Sequence, residues 1–315
     1  MISHQDKFVL VRPQGGLNDT RKQIETCCQY AEFTGRKVVV DTKYAGSSTF
    51  HDNFSNYFVS RQRGLIFDTS ELDLENFTDV FPTFLSGRLM EYRTNQKPVN
   101  GFYRDLENRE PITFDFQKNY PERVVVHHQL GGGDSSPFFH RAVLSQRLCE
   151  DLSARLKRLA PHYFGIHIRN TDYESNFQAF IKDLTARKYF LNRRVFLATD
   201  SEDALQYFKE NVTDALYVEL TQADVKGNQP LHTRNVDDPH YWTKSNSEAI
   251  LDLLTLAYSN KILAAPLENF TLITGKNFNK IMYSGFVQLA MRLQSNRPLL
   301  TQFTGISGWL DLWKA

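Results

Sequence analysis

Phe164-Gly165-Ile166-His167-Ile168-Arg169-Asn170-Thr171-Asp172 is an apolar run that ends in a tight group of polar side chains. It reads as a buried strand of a parallel sheet delivering a cation to a cleft. Open α/β sheets place their ligands beyond the carboxyl ends of the strands, so His167, Arg169 and Asp172 stand where a ligand would lie. An arginine there suits a phosphate or diphosphate, because its guanidinium stays charged at working pH and its planar fork donates to two oxygens together. Taken alone, Arg169 fits a structural ion pair with Asp172 equally well. His167 shares its face of the strand and fits a core histidine.

Strand and helix patterns alternate outward from this run. Downstream, helices are expected near 177–186, 204–211 and 247–258, and strands at 194–198, 216–220 and 261–265. Asp200-Ser201-Glu202-Asp203 is a strong helix start, in which capping by Asp200 or Ser201 is favoured over ligand binding. Residues 266–269 open a further helix. Upstream, a strand at 7–12, the turn Pro13-Gln14-Gly15-Gly16-Leu17-Asn18-Asp19, a helix at 20–33 stopped by Gly35 and a strand at 37–41 form a β-α-β unit. Residues 42–120 are less regular and read as short helices and long loops. A strand at 123–127 precedes Gly131-Gly132-Gly133, a candidate hinge or cleft loop, and a helix is expected at 140–159. The expected class is α/β, and the length suits two domains, divided at 1–155 and 156–315, although one large α/β domain also fits.

Composition narrows the function. Lys plus Arg number 37 against 36 Asp plus Glu, a net charge of +1 that leaves no electrostatic footprint for a nucleic-acid polymer. Cys27, Cys28 and Cys149 have no zinc-ligand spacing and read as thiols of a reducing compartment. His127, His128, His140 and His162 lack carboxylates at metal spacing, so no metal site is expected. The polar start and the lack of an apolar run of about 18 residues point away from a signal peptide or membrane span, and a cytoplasmic location follows as the expectation.

Several landmarks occur in one order. They are Gly15-Gly16-Leu17-Asn18-Asp19, Thr34-Gly35-Arg36, the His167 to Asp172 motif, Phe196-Leu197-Ala198-Thr199-Asp200-Ser201, Pro230-Leu231-His232, Ala249-Ile250-Leu251-Asp252-Leu253-Leu254 and Asn269-Phe270-Thr271. The set resembles the fucosyltransferases that include the rhizobial nodulation enzyme and the α-1,6 core-fucosylating enzymes, over about residues 9–274. The resemblance implies a GT-B-like pair of Rossmann-type domains with parallel sheets facing a cleft and the last helix packing back on the first domain. It also implies metal-independent, inverting transfer from GDP-fucose, the donor substrate, to a glycan acceptor, with no cofactor. Arg169 matches the family's diphosphate-binding arginine, His167 the residue beneath the guanine and phosphate site, and Asp252 the acidic position that accepts from the guanine ring. Glu268, Asn269, Phe270 and Thr271 match the helix start that reaches phosphate oxygens. The chain departs from the family at Asn170, where relatives carry a second basic residue, at Tyr173 in place of a lysine, and at Glu268 in place of a serine.

An unpaired carboxylate at Asp252 on an apolar helix pattern would be costly, so a donor partner is expected, either a guanine or an arginine elsewhere in the chain. Gly15 and Gly16 are expected to bring backbone close to the donor or acceptor. For the general base, Glu174 and Asp172 are nearest in sequence to Arg169, with Glu174 preferred and Asp19 its rival. Three other readings stand beside this one. They are a transferase using another nucleotide sugar, an inactive sugar- or nucleotide-binding protein on the same fold, and a nicotinamide oxidoreductase. The last is disfavoured because the glycine turn lacks the full fingerprint and Asp41 is its sole further support.

Overall fold

Four consecutive apolar residues fit a strand covered on both faces, and Phe8–Val11 (β1), all fully buried, is the centre of a five-stranded sheet. The computed structural model describes residues 6–44, 50–70, 72, 74–95, 97–229, 234, 236–268 and 283–306. The chain divides into two units, Met1–Ser145 and Gln146–Ala315.

In the first unit β1 lies between β2 (Lys37–Val40) and β6 (Val124–His127). Two short strands, β4 (Leu65–Ile66) and β5 (Val80–Phe81), extend the edges to the order β4-β2-β1-β6-β5, with every pairing parallel. Helix α1 (Leu17–Thr34) makes the crossover, and Gly35 closes it in the left-handed conformation at φ 68°, donating its N–H to Ala31. This is the β-α-β unit expected from the sequence. The helix expected at 140–159 is instead three elements. A short helix α2 (Phe138–Arg141) runs into strand β7 (Ala142–Leu144), which pairs antiparallel with β3 (Phe58–Ser60), and helix α3 (Gln146–Leu159) follows. The expected domain boundary at 155 falls inside α3, which belongs wholly to the second unit.

The second unit holds β8 (Tyr163–Ile168), β9 (Arg194–Thr199), β10 (Tyr217–Leu220) and β11 (Lys261–Ala264) in the parallel order β10-β9-β8-β11. Helices α4 (Phe177–Ala186) and α5 (Glu202–Asn211) cover one face, where Ile181, Leu184, Ala204 and Phe208 pack on Ile166, Ile168, Val195 and Leu197. Helices α3 and α6 (Pro239–Tyr258) pack on β9, α6 also reaches β8, and α7 (Gly285–Ser295) and α8 (Arg297–Thr304) complete the unit. A Cβ at Gly165 would stand 2.9 Å from Leu256 Cδ2 and 3.0 Å from Ser259 Oγ of the segment closing α6, so only glycine lets strand and helix approach this closely. Two covered faces explain why the β8 stretch is continuously apolar rather than alternating. The unit therefore repeats the strand-helix alternation of a Rossmann-type domain. The helix expected to open at 266–269 is absent over Pro266, Leu267 and Glu268, where Leu267 forms a bridge with Ser175; residues from 269 to 282 lie outside the described set.

Candidate functional site

β8 sits where the winding of the second sheet reverses, because β9 and β10 follow on one side and β11 returns on the other. The crevice beyond such a reversal is where α/β sheets take ligands. Arg169, the residue after β8, stands at that point. Its Nη1 meets Asp200 Oδ2 at 2.6 Å, and its Nε and Nη2 meet Asp172 Oδ1 at 3.0 and 2.5 Å. The side chain keeps 21% of its surface exposed. The ion pair with Asp172 that the sequence allows is thus formed, and a second one is added. Asp200 also accepts the Asn170 N–H at 3.0 Å and the Thr171 hydroxyl at 2.8 Å, so one carboxylate fixes the whole turn after β8. Asn170 Oδ1 in turn accepts from the Ser175 N–H at 3.2 Å.

Sequence reasoning placed Asp200 among helix caps and missed it as a site residue. The cap of α5 is Ser201, whose hydroxyl accepts the Ala204 N–H, and this frees Asp200 for Arg169. The signal was in the strands. β8 and β9 run in parallel with Ile168 opposite Thr199, which brings the next residues, Arg169 and Asp200, to one level.

His167 is buried, and its ring stacks on Phe286 of α7 with centroids 5.5 Å apart and planes 24° from parallel. Burial, with a smaller push from Arg169, lowers its pKa to about 3, so it is neutral at working pH and adds shape but no charge. Phe286 was not foreseen, lying far along the chain from the motif it packs against. Glu174 is exposed; its carbonyl accepts the Glu268 N–H at 2.8 Å, which ties the loop after β8 to the segment after β11. Glu268 is exposed too. Asn269, Phe270 and Thr271 lie outside the described residues.

Asp252 is engaged within the fold. It is 4% exposed, with Oδ1 at 2.7 Å from Arg155 Nη1 of α3 and Oδ2 accepting the Thr221 hydroxyl at 2.5 Å. Arg155 is shared with Glu248 at 2.5 Å. The donor partner left open between guanine and arginine is the arginine, and both carboxylate oxygens are engaged within the fold. Burial still outweighs these partners and holds the carboxyl up at about 6.

In the first unit the turns after β1 and β6 travel together, with the Gln14 N–H donating to Gln129 at 3.0 Å. Gly15, at φ +95°, leaves no room for a side chain, since a Cβ would lie 2.7 Å from Leu130 Cδ1 and 2.8 Å from Asp19. Gly16 is the N-cap residue of α1. Asp19 sits in the first turn of α1 and accepts from the Gly16 N–H, an N3 carboxylate reaching back to the cap. Burial raises its pKa to about 6, against the lowering effects of that bond and of Arg21. The triple glycine is no free hinge. A Cβ at Gly131 would strike the Gln23 amide, one at Gly132 would press Asp19, and Asn18 donates to Gly133 O at 3.0 Å. These glycines let the loop lie against α1. Asp41 is held by Arg12 at 2.6 Å, which removes the acidic group that a nicotinamide reading would need.

Among the described residues, no three His, Cys, Asp or Glu side chains gather as a metal site would need, and no helix is long and apolar enough to cross a membrane. No family model matches the chain, and no curated protein does. Solved structures do match. Fucosyltransferase NodZ from Bradyrhizobium aligns with a TM-score of 0.56 and 18% identity, over 92% of this chain and 94% of that one. The NodZ α-1,6-fucosyltransferase soaked with GDP-fucose gives 0.56 and 18%, over 92% and 93%, and its co-crystal with GDP gives 0.55 and 18% over the same shares. The fold is therefore of the GT-B type with two Rossmann-like units, as the sequence led us to expect.

Proposed function

We propose that this chain is a glycosyltransferase that moves fucose from GDP-fucose to a glycan hydroxyl, with inversion and without a metal ion. The observation that carries the reading is Arg169. It is a guanidinium fixed at the reversal point of a parallel sheet, in a fold whose solved likenesses were crystallised with GDP and soaked with GDP-fucose.

In such a transfer the acceptor hydroxyl attacks the anomeric carbon as the nucleoside diphosphate leaves from the opposite face. Negative charge grows on the leaving phosphate, and the protein must meet it with donors already in place. Arg169 is such a donor, because Asp200 fixes its orientation through the loop as well as through the guanidinium. Asp172 is the more exposed of its two carboxylates, at 35% against 21%, and so is the partner a phosphate displaces. His167 and Phe286 wall the site as a neutral aromatic pair. Glu174, exposed in the same loop, is the general base that takes the acceptor's proton.

Calorimetry with GDP and GDP-fucose, with and without chelator, together with transfer and donor-hydrolysis assays, tests the reading. Binding that chelator leaves intact and turnover that Glu174→Gln removes support it. Binding abolished by chelator overturns the metal-free part. A second reading, a nucleotide-sugar-binding protein without turnover, draws on Asn170 in place of a second cation and on two carboxylates facing Arg169. GDP binding with neither transfer nor hydrolysis favours it.

A further inference from the structure

We propose that the excursion around residues 94–111 of the first unit carries a separate saccharide subsite, selective for a sugar bearing a carboxylate. A cavity of about 420 Å³ opens there, walled by Val99, Asn100, Arg104, Asp105, Leu106 and Arg109. Its size lies within the range of small-molecule sites, about 300 to 1,000 Å³.

The walls are built rather than loose. Bridges join Thr94 to Asp105, Val99 to Phe102 and Arg104 to Pro111. Asp105 is 1% exposed, and its Oδ1 gathers the N–H groups of Glu107 and Asn108 and the Asn108 amide. Gln129, two residues past β6, donates to Tyr103 O at 2.9 Å and accepts the Tyr103 N–H at 2.8 Å. The excursion is thereby tied to the carboxyl end of the sheet, the edge at which such sheets take ligands.

Asn100, at φ 51°, opens the Asn-Gly turn between Val99 and Phe102, where left-handed backbone is ordinary, and Arg109 takes the same conformation at φ 61°. Neither side chain has a hydrogen bond or ion pair among the described residues. Arg104 spends one donation on Arg109 O at 2.9 Å and keeps its other guanidinium N–H groups. Donors predominate among the free groups: two guanidinium groups stand against one carboxylate oxygen, Asp105 Oδ2, which is buried without a hydrogen-bond partner 4.0 Å from Arg88 Nη2. A ligand rich in acceptors fits them, and a carboxylate matches the guanidinium fork. Val99 and Leu106, 50% and 42% exposed, offer apolar surface for the C–H face of a pyranose.

The choice of a saccharide rests on the glycosyltransferase reading; the site itself does not. The test is calorimetry on the full chain with an oligosaccharide ending in glucuronate and its glucose-ended counterpart, beside a GDP titration. The acidic sugar should bind about tenfold more tightly, and exposed Arg109→Ala should remove that preference while leaving GDP affinity unchanged. Arg109→Lys, which keeps the charge without the fork, should keep part of it. Equal binding of the two sugars, binding of neither, or a preference that survives Arg109→Ala overturns the inference. Selectivity that persists in a protein with no GDP binding and no transfer overturns the glycosyltransferase reading alone.

Discussion

Arg169 donates to two carboxylates from all three of its nitrogens, and that geometry makes a lysine a poor substitute. A lysine keeps the charge but cannot hold Asp172 and Asp200 in one plane while facing a phosphate. Arg169→Lys should lower turnover by about two orders of magnitude and donor affinity by less, because stabilisation of the departing charge is lost more than ground-state binding. Steady-state transfer beside direct GDP-fucose binding checks this; near-normal turnover would leave Arg169 a structural ion pair. His127 gives a second residue-scale expectation. It is buried between Thr113 at 2.8 Å and Gln23 at 2.5 Å, and burial lowers its pKa to about 4. Above about pH 6.5 both folded and unfolded forms are neutral and it has no effect. Below that the unfolded chain takes the proton and the folded chain refuses it, so stability falls with pH, by about 3 kcal/mol on reaching pH 4. Urea unfolding between these pH values should show the loss, and His127→Gln should flatten it. The residue types at the Arg169 site were legible because a strand end followed by a cation and a carboxylate is a local pattern. Phe286 was not, since its meeting with His167 is purely tertiary.

At the scale of elements, α3 and α6 are joined across the sheet face by the buried Arg155, Asp252 and Thr221 with the partly exposed Glu248. Asp252→Asn removes the charge opposite Arg155 in a site with almost no water, and should cost about 3 kcal/mol of stability. It should change GDP and UDP binding alike or not at all. A selective loss of GDP affinity in a protein of wild-type stability would return Asp252 to the guanine edge. The arginine partner of this carboxylate was not legible, because its spacing on the helix announces only that it needs a donor, while that donor lies 97 residues away on another element. Most elements of the second unit were legible for a simple reason: strand and helix periods alternate there with short connections. The strands β3, β4, β5 and β7 were not, being two or three residues long and defined by partners distant in sequence. The helix expected at 140–159 failed similarly, because Ala142–Leu144 is drawn out of a helical pattern by pairing with Phe58–Ser60.

The whole molecule carries a net charge of +1, so no long-range field draws an anion to it, and what a phosphate meets is set by the immediate site. There the described ion pairs of Arg169 are those with Asp172 and Asp200, one cation against two anions. Ordinary phosphate sites are unpaired cations whose attraction fades as salt is added. On the proposed reading, this one is already neutralised by its own carboxylates, so the diphosphate arrives as an exchange for Asp172 and not as new charge brought to a bare cation. Its affinity should therefore stay flat or rise slightly between about 0.05 and 0.3 M salt, where the screening length shortens from about 14 to about 6 Å. Calorimetry across that series tests it, and a steep fall with salt would mean that other cations dominate. On that reading Asp172 is the ligand's stand-in: it keeps the guanidinium extended and ordered until a phosphate takes its place, and it spares the protein an exposed, unpaired charge that stray phosphates would seek out.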